Sequence, residues 1–426
     1  MSWLQATVGD VCLPTGQRDP SRNGSGTFRY VDIAGIDREL KRIARAEAIP
    51  CSDAPSRARK EVRAGDVVVS TVRPNLNAIA QIPEDLDGEI ASTGFAVLRA
   101  NPKLVDSRYL FYRAQHQEFI DYLVANATGA SYPAVSDSIV RRAALPLPPP
   151  KEQLRIIELL DEANRLRKLR RDADAKAACI LPALFLKMFG DPATNPKGWP
   201  MKPLGSLADE RPEYGANASA GPFVNGKPRY VRITDIRDDG SLSDREIVSL
   251  DSADWHRYLL QDGDVLFARS WNTVGKTYIY RSSDGPCAFA GYLIRFQFRS
   301  GAVDPWFVFG LTRTAYYRGW VESHKRVAGQ PNINGQEYSS LMFPEPPIRL
   351  QQKFGRVARE VESILSSADN AAERLEGTFA TLLQRAFSGQ LTAKWREAHL
   401  KELLAEMEVQ ARLLNLPMRN SLEVAQ

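Results

Sequence analysis

The residues of this chain that could do chemistry are arginines, lysines, amides and aromatic rings placed just after predicted strands. They occur in two sets about 198 positions apart: Arg73, Asn75 and Asn77 in the first set, and Arg269, Asn272 and Lys276 in the second. Arginine and amide side chains form paired hydrogen bonds with the edges of guanine and adenine, and lysine binds phosphates. These residue types in this pattern predict DNA binding rather than catalysis.

Two other pairs of segments repeat residues of the same kind. An arginine is followed by a tyrosine near position 29 and again near position 229, and a loop of turn-forming and amide residues recurs near 131 and 332. Loops of this composition suit entry into a DNA groove, although any one of them could be an ordinary solvated turn. The candidate DNA-binding residues of these segments are Arg29, Tyr30, Ser131 and Tyr132 in the first copy, and Arg229, Tyr230, Gln330, Asn332 and Asn334 in the second.

Two local patterns resemble catalytic motifs but lack the necessary surroundings. Residues 270–277 resemble a phosphate-binding loop, yet Ser270 stands in place of the first glycine and a strand-like run follows where a helix should begin. Without a helix N-terminus the phosphate cradle is missing. Asp37, Glu39 and Lys41 form an acid-x-lysine pattern of the kind nucleases use to hold a metal, but nothing in the second copy corresponds to it.

Other catalytic constellations are also missing from the sequence. None of the four histidines lies at metal-ligand spacing with another histidine or a cysteine. There is no Gly-x-Ser-x-Gly nucleophile motif and no Asn/Asp-Pro-Pro-aromatic loop of the amino-methyltransferase kind. We therefore predict no catalytic, cofactor-binding or metal-binding residues, and we expect a binding scaffold.

The composition is that of an ordinary globular protein. Of 426 residues, 43% are hydrophobic and 25% are charged, and the formal net charge is only +5. This balance permits a local basic surface without requiring one. The four cysteines have no paired spacing and are expected to be reduced thiols. With no leader and no apolar run near the ~20 residues of a membrane span, the expected location is the cytoplasm, with no membrane partner.

The candidate residues belong to a duplication of most of the chain. The clearest matches, all about 198 positions apart, are Asp106, Tyr109 and Phe111 with Asp304, Phe307 and Phe309, Gly65-Asp66-Val67 with Gly263-Asp264-Val265, and Phe189 with Phe387. A period this long indicates a duplicated domain plus a duplicated connector rather than a solenoid. Within the first copy, β-branched runs near 66–70 and 95–98 predict strands, and residues 107–124 predict a helix.

Each connector is predicted to be a long helix whose apolar residues lie three and four positions apart. The first contains Ile156, Leu159, Ala163 and Leu166 and continues to 184, and the second carries the same register from 354 to 382. A pattern this long predicts a coiled-coil seam, although each helix could instead lie on its own domain. A twofold axis across the pair would make the helices antiparallel. Pro182 is expected to kink the first helix.

Three stretches are distinctive: Leu145-Pro146-Leu147-Pro148-Pro149 with Glu152-Gln153 before the first long helix, residues 382–392 (LLQRAFSGQLT) at the end of the second, and Gly329-Gln330-Pro331-Asn332-Ile333-Asn334. With them, the chain resembles the DNA-specificity subunit of type I restriction–modification systems over nearly its whole length. The first copy departs from the third stretch, with Ala130-Ser131-Tyr132-Pro133 in its place.

The resemblance implies a non-catalytic subunit of α+β fold. Two target-recognition domains, each reading one half of a split DNA sequence, would be joined by two antiparallel coiled-coil helices that set the spacer. It implies binding to double-stranded DNA, to two copies of a modification (methyltransferase) subunit and to a restriction subunit. S-adenosylmethionine and ATP would be bound by those partners.

On this basis the chain divides into five segments. They are target-recognition domain 1 (1–148), a central helix (149–190), target-recognition domain 2 (191–345), a C-terminal helix (346–390) and an amphipathic tail (391–426). Two other functions stay open. One is a symmetric coiled-coil adaptor that binds proteins without DNA specificity, which salt-dependent binding to duplex DNA would distinguish. The other is a nuclease–methyltransferase whose catalytic region is missing here, which a longer reading frame would reveal.

Overall fold

Two long helices carry the chain from one unit to another and back. The computed structural model describes residues 2–23, 26–129, 131–298, 301–325 and 331–416. Unit 1 comprises residues 1–169 and 373–426, and unit 2 comprises residues 170–372. Both units mix helices with small sheets, so the predicted α+β class is confirmed, while the five segment boundaries stay a prediction.

Unit 1 is made of short strands and five helices before the chain leaves it. Its strands are β1 (Leu4–Thr7), β2 (Cys12–Leu13), β3 (Thr27–Val31), β4 (Ile36–Asp37), β5 (Arg42–Ile43), β6 (Glu47–Pro50), β7 (Ala58–Glu61), β8 (Val67–Ser70), β9 (Ile79–Gln81), β10 (Ile90–Ser92), β11 (Phe95–Ala100) and β12 (Ala144–Leu147). Its helices are α1 (Pro20–Asn23), α2 (Ser107–Gln115), α3 (Gln117–Ala125), α4 (Asp137–Arg142) and α5 (Pro150–Ala177), the last of which crosses into unit 2.

Unit 2 repeats this composition. Its strands are β13 (Met201–Pro203), β14 (Glu213–Tyr214), β15 (Ala220–Pro222), β16 (Arg229–Val231), β17 (Val248–Leu250), β18 (Val265–Ala268), β19 (Thr277–Ile279), β20 (Cys287–Phe289), β21 (Leu293–Phe296) and β22 (Met342–Pro344). Its helices are α6 (Ile180–Phe189), α7 (Leu204–Leu207), α8 (Pro305–Leu311), α9 (Ala315–His324), α10 (Gly335–Ser339) and α11 (Ile348–Phe387). The last returns the chain to unit 1, where α12 (Ala393–Ala398) and α13 (Leu400–Leu414) follow.

The two units share most of one sheet plan. The first four-stranded sheet is repeated in full, and the second repeats three strands, β6-β3-β10 and β17-β16-β20, with the fourth strand added at opposite edges. Unit 1 has the strand orders β2-β11-β8-β9 and β6-β3-β10-β7, and unit 2 has β14-β21-β18-β19 and β15-β17-β16-β20. The register is repeated as well, since Val69 lies opposite Ala96 and the equivalent Phe267 lies opposite Ile294. A two-stranded ribbon, β1-β12 in unit 1 and β13-β22 in unit 2, completes each plan. The duplication seen in the sequence is therefore one of strand order and register.

Strand β8 shows why the cores form where they do. Successive side chains of a strand point to opposite faces. Val67 and Val69 lie in one hydrophobic cluster of unit 1, and Val68 between them lies in a second. In unit 2, Phe267 and Leu266 divide between two clusters in the same way. The β-branched and aromatic run that predicts this strand is buried on both faces for that reason.

The single helix predicted over 107–124 is two helices that meet at His116. The backbone of His116 is extended, and its N–H caps α2 by donating to the carbonyl oxygen of Arg113. The imidazole Nε2 lies 2.7 Å from Oε1 of Gln384, on the last turns of α11. The break thus places a buried histidine where α2 and α3 contact the second long helix.

Each unit holds both long helices through equivalent contacts. The rings of Tyr109 and Phe387 are 5.3 Å apart in unit 1, and those of Phe307 and Phe189 are 4.8 Å apart in unit 2. A buried glutamine is repeated as well. In unit 1 it is Gln153, whose Oε1 accepts from the backbone N–H of Asp106 at 2.8 Å. Its counterparts in unit 2, Gln351 and Asp304, are 3.1 Å apart.

Within unit 1 the helix segments run antiparallel. Arg167, two residues before the end of the unit's share of α5, donates to Glu376 of α11 at 2.9 Å. At the other end, Glu152 in the first turn of α5 accepts from Thr392, which follows α11, at 2.6 Å. In unit 2, Phe354 near the start of α11 packs on Phe185 near the end of α6, with ring centroids 5.7 Å apart. The predicted antiparallel pairing is confirmed within each unit.

The buried face of the helices is offset from the predicted seam. Ile156 and Ala163 are buried as expected, but Leu166 is 43% exposed. The second buried line lies one residue later, at Leu160 and Leu181, with Arg167 between them. Cζ of Arg167 lies 4.0 Å from the centre of the Phe379 ring, so a charged side chain covers apolar surface. The sequence pattern favoured the more apolar line. The other line is the buried one, and it was overlooked because it contains the charged residue Arg167.

The second helix repeats this offset. Phe354 and Ala358 are buried, whereas Val357 is 37% exposed and Ile364 is 68% exposed. Each long helix therefore keeps a row of largely uncovered positions, seven residues apart, that we call its outer line. The outer line of the first helix is Leu159, Leu166, Ala173 and Ile180, and that of the second is Val357, Ile364, Ala371 and Thr378.

The predicted interruption near Pro182 is confirmed. Helix α5 ends at Ala177 and α6 begins at Ile180, so the break falls one turn before the proline. A proline ring clashes with the carbonyl four residues earlier and cannot donate to it. In the second copy Ala380 takes this position, and α11 runs on for 40 residues. None of the helices in the described ranges is long and apolar enough to cross a membrane.

Candidate nucleic-acid interface

Two loops of unit 1 are joined into one surface, here called loop pair 1 (residues 71–77 and 128–134). The backbone N–H of Arg73 donates to the carbonyl oxygen of Pro133 at 2.7 Å, and that of Val135 donates to Thr71 at 2.8 Å. Thr128 and Ala134 exchange two backbone hydrogen bonds of 2.9 Å, which close the second loop. The two predicted recognition loops of the first copy therefore lie side by side.

Unit 2 builds the equivalent surface, loop pair 2 (residues 269–276 and 331–334). The backbone N–H of Trp271 donates to the carbonyl oxygen of Pro331 at 3.0 Å, and that of Ile333 donates to Arg269 at 2.9 Å. The amide of Asn332 adds a hydrogen bond of 3.0 Å to the hydroxyl of Ser270. These contacts match those of unit 1 position by position.

The residue at the centre of each loop pair has a left-handed backbone. Arg73 has φ of 50°, and Trp271, its structural counterpart, has φ of 61°. Residues with a side chain adopt this conformation rarely and at a cost of about 1–3 kcal/mol, which is typical of functional sites. The conformation starts a short 3₁₀ turn in both units, at Pro74–Leu76 and Trp271–Thr273.

An arginine stacked on a tyrosine marks each loop pair. Cζ of Arg73 lies 4.7 Å from the centre of the Tyr132 ring, and Cζ of Arg269 lies 4.9 Å from that of Tyr214. Among the described residues neither guanidinium takes part in an ion pair, and Nε of Arg269 is buried without a hydrogen-bond partner. Stacking orients these cations while leaving their charge uncompensated, so both remain able to bind an anion or a base edge.

Several other predicted residues are exposed on the loop pairs. Tyr132 is 69% exposed, and Asn75, Ser131 and Asn272 are also exposed. These side chains are placed where they could contact DNA. Their role remains a prediction. Gln330 lies outside the described residues.

The paired tyrosines of the strands are not on a surface. Tyr30 and Tyr230 are 8% and 3% exposed. The hydroxyl of Tyr230 donates to the carbonyl oxygen of Ala216 at 2.7 Å. Burial raises the pKa of both tyrosines. This burial contradicts the prediction that they contact DNA. They are core residues of their sheets.

Arg29 and Arg229, which precede these tyrosines, form ion pairs within their own units. Arg29 pairs with Asp85 at 2.6 Å, and Arg229 pairs with Asp244 at 2.7 Å. The side chain of Arg229 is only 11% exposed. Because its charge is already compensated, the prediction of DNA binding is not supported for Arg229. Arg29 is half-exposed, and its pair with Asp85 would have to open for it to bind a phosphate.

Three residues of the second copy also have internal partners. Lys276 pairs with Asp238 at 2.9 Å. Oδ1 of Asn334 accepts backbone N–H groups of Gln336 and Glu337, each at 2.9 Å, and so caps α10. The amide of Asn332 bonds Ser270, as described. The side-chain oxygen of Asn334 serves as a helix cap, and its contact with DNA stays a prediction.

A lysine links the first loop of each pair to a neighbouring segment. The lysine lies on the neighbouring segment in unit 1 and on the loop in unit 2. In unit 1, Nζ of Lys41 on the β4–β5 hairpin donates to the carbonyl oxygen of Asn77 at 2.6 Å. In unit 2, Nζ of Lys276 on the loop donates to the carbonyl oxygen of Ile236 at 3.0 Å. Burial first, and then the charge of Arg167, lowers the pKa of Lys41 to about 8. The acid-x-lysine pattern therefore belongs to this support.

Sequence reasoning missed three aromatic residues of unit 2. Trp271, Tyr214 and Tyr292 are 49%, 42% and 53% exposed. Tyr214 lies under Arg269, and its hydroxyl accepts from the backbone N–H of Gly335 at 2.9 Å. The register of the duplication pairs Trp271 with Arg73 and could have identified it. Tyr214 lies on strand β14 and Tyr292 in the turn between β20 and β21, and no spacing signal connects them to the loops.

The chemistries rejected from sequence find no support in the structure. Residues 271–273 form a turn, and strand β19 follows where a phosphate-binding loop would need a helix. No group of histidine, cysteine or carboxylate side chains that could hold a metal ion occurs in the part of the chain that the structure describes. The four cysteines are free thiols. The two loop pairs therefore remain the candidate sites.

Proteins of type I restriction–modification systems resemble this chain in sequence and in structure. The HindI specificity subunit of Haemophilus influenzae is 24% identical over 197 residues, 44% of this chain and 41% of that protein. The StySPI specificity subunit of Salmonella potsdam is 24% identical over 318 residues, 69% of this chain and 67% of that protein. A solved structure concerning complex assembly and conformational transition of the type I restriction–modification system is 27% identical, with a TM-score of 0.54 over 92% of this chain and 98% of that one.

The chain is similar in sequence and in fold to the specificity subunits of type I restriction–modification systems. The predicted resemblance is confirmed by relatives of both sequence and structure. No family model matches the chain. The alignment with the HindI subunit spans less than half of that relative's length. The alternative of a symmetric adaptor without DNA specificity is not supported, since the relatives are named as specificity subunits.

Proposed function

We propose that this specificity subunit reads a two-part DNA sequence, with loop pair 1 contacting one half and loop pair 2 the other. The observation that carries the proposal is an arginine-on-tyrosine stack at each loop pair, built from different positions in the two units, in which Arg73 and Arg269 keep uncompensated charges beside exposed amides. Arginine bidentate to guanine is a common base contact, and amides suit adenine. Phosphate contacts from the remaining exposed polar groups would set the register.

The subunit has no catalytic role in this proposal. The methyltransferase and endonuclease reactions, with S-adenosylmethionine and ATP, are assigned to partner subunits, and the assembly works in the cytoplasm. The net charge of +5 supports weak DNA binding by the isolated chain, because each phosphate contact needs a cation. The partners would then supply much of the affinity, and this subunit the sequence preference.

The outer lines of the two helices are the proposed docking surface for two modification subunits. Apolar residues repeated every seven positions are the signature of a helix-on-helix interface. Leu166 and Ile180 on one helix are 43% and 46% exposed, and Ile364 on the other is 68% exposed. Because the outer line occurs once in each repeat, the duplication offers two equivalent sites. The restriction subunit would bind to this assembly.

The test of sequence reading uses the complex reconstituted with its modification subunits. Methylated bases are mapped on a genomic DNA library for the wild type and for Arg269→Ala. We expect the variant to relax base preference in one half of the target, by the ~1–3 kcal/mol that a bidentate base contact contributes, and to leave the other half unchanged. Arg245→Ala, at an exposed arginine of unit 2 outside loop pair 2, is the matched control. Equal relaxation in both halves would refute separate reading.

A further inference from the structure

The C-terminal tail fills a groove on unit 1. Gln410 on α13 is 1% exposed, and its Nε2 donates to the carbonyl oxygens of Leu104 at 2.9 Å and Pro148 at 3.2 Å. Met407 and Ala411, which flank Gln410 on the same side of α13, are buried in the core cluster of the unit. The helix is therefore docked by one amide set among apolar side chains.

Charge fixes the other end of this docked helix. Nζ of Lys151, at the start of α5, pairs with Glu402 at 2.6 Å, and the backbone N–H of Lys151 donates to Glu406 at 2.9 Å. Glu402, Glu406 and Gln410 are four residues apart and so lie on one side of α13. A helix N-terminus favours negative charge, which the two glutamates supply.

Unit 2 has an equivalent groove, which no tail helix fills among the residues that the structure describes. The counterparts of Leu104, Pro148 and Gln153 are Ala302, Pro346 and Gln351, and in unit 2 these line an open cavity of about 390 Å³. Trp199 and Ile348 complete its walls. We call this cavity the open groove. The duplication has thus produced two copies of one docking site, and the chain carries only one tail.

The open groove has a positive charge at the position equivalent to Lys151, where a helix like α13 would place its glutamates. Arg349 occupies the position of Lys151, in the first turn of α11, and is exposed without an ion pair among the described residues. The position of Glu152, which anchors the tail in unit 1 by accepting from Arg396 at 2.7 Å, is taken by Leu350. The open groove therefore keeps the residues equivalent to those that bind α13. It lacks the carboxylate that, in unit 1, binds the segment preceding α13.

We propose that the open groove of unit 2 binds an amphipathic helix of a partner protein with the docking chemistry of α13. Such a helix carries an amide over Pro346, apolar residues beside it, and acidic residues four and eight positions earlier, opposite Arg349. The tail of a second copy is a poorer occupant. That tail is tethered beside its own groove, where the effective concentration favours it. This interaction surface does not depend on the DNA-reading role of the loop pairs.

The probe for the experiment is a fluorescent peptide of residues 399–416, which reproduces α13. It is titrated into the full chain, whose own tail occupies unit 1, and fluorescence anisotropy measures binding. We expect saturable binding of one peptide per chain, weakened about three- to tenfold by Arg349→Glu through charge reversal opposite the peptide glutamates. The peptide with Gln410→Leu should bind at least tenfold more weakly, because it loses the amide that docks the helix.

Arg245→Glu, at an exposed arginine of unit 2 that does not line the open groove, is the matched control and should leave peptide affinity unchanged. No saturable binding would overturn the proposal. So would peptide binding that Arg349→Glu leaves unchanged, which would mean that the peptide enters another site, such as the tail groove of unit 1. Analytical ultracentrifugation covers the remaining outcome. Dimers of the full chain that disappear with Arg349→Glu would assign the groove to a second copy and overturn the partner assignment.

Discussion

Tyr132 orients the guanidinium of Arg73 by stacking, and this has a measurable consequence for DNA binding. Its ring is 69% exposed and lies 4.7 Å from Cζ of the arginine. We expect Tyr132→Ala to weaken DNA binding by the assembled complex about two- to fivefold, the ~0.5–1 kcal/mol of an exposed cation–π contact. Tyr132→Phe keeps the ring and should bind as the wild type does at the same salt concentration. If both variants bind equally weakly, the hydroxyl rather than the ring is responsible.

His116 makes unit 1 sensitive to acid. Burial first, and then the charge of Arg113, lowers the pKa of His116. Arg113 Nη1 lies 3.0 Å from Nδ1, and Gln384 faces Nε2. The unfolded chain, with an ordinary histidine pKa near 6.5, therefore binds more protons than the folded chain below that pH. We expect the stability of unit 1 to fall as pH drops through about 6.5.

The measurement is hydrogen exchange of α2 and α3 at pH 7.5 and 5.5, corrected for intrinsic exchange rates. His116→Gln keeps a hydrogen-bonding side chain without the titration, so its loss of protection between the two pH values should be smaller. Glu118, 70% exposed, is the nearby carboxylate that could stabilise a protonated ring. A larger loss in the variant than in the wild type would rule out His116 as the titrating group.

The residues that sequence reasoning misjudged share one cause. An arginine followed by a tyrosine in a strand places the two side chains on opposite faces, so only one can face solvent. Tyr30 and Tyr230 took the inner face. Arg73 and Arg269, in contrast, lie on loops after strand ends, where no alternation applies. Residue types and loop position were enough to find them, but the tyrosine under Arg269 comes from a distant strand that only the fold brings near.

At the scale of the helix, heptad spacing predicted a paired helix correctly and the buried line incorrectly. Two lines one residue apart compete for the seam, and the sequence ranks them by apolarity alone. Arg167 occupies the buried line because its stem and guanidinium cover Phe379 while Glu376 compensates its charge. Apolarity cannot anticipate a cation that is paired and stacked, so the more apolar outer line was assigned to the seam.

Exposure of the outer line leads to a prediction about assembly. Ile364→Arg should leave the fold unchanged, because the side chain is 68% exposed. It should weaken binding of the modification subunit by at least tenfold, since a charge would be buried in the proposed helix interface. Isothermal titration of the purified subunits measures the affinity. Gln352→Arg, at an exposed position of α11 outside the outer line, should bind as the wild type does, and an equal loss there would point to a general charge effect.

At the scale of the whole molecule, the duplication could be recognised in the sequence because the matching residues form equivalent strands and include the buried glutamines Gln153 and Gln351. What the sequence did not reveal is how the ends of the chain differ. Glu152 is completely buried and accepts from Trp3 at 2.8 Å, Thr392 at 2.6 Å and Arg396 at 2.7 Å. One carboxylate thus joins both termini to unit 1. Only folding brings residues so far apart in sequence together.

Loss of this carboxylate should affect one unit only. Glu152→Leu, which copies the residue found at the equivalent Leu350, leaves Arg396 largely buried without its partner. We expect unit 1 to lose about 3–5 kcal/mol of stability, as for other broken buried ion pairs. Protection of unit 2 against hydrogen exchange should not change. Glu158→Leu, on the solvent side of the same helix, is the control, and equal destabilisation of both units would show that they unfold as one.

The docked tail distinguishes unit 1 from unit 2. Everything repeated in the two halves can be recognised twice, whereas α13 and the carboxylate beneath it mark a single end. A protein that binds the repeated helix surface meets two equal positions. One that binds the docked tail, or the open groove of unit 2, meets just one. Under this proposal, a single chain offers different partner subunits unequal numbers of binding positions.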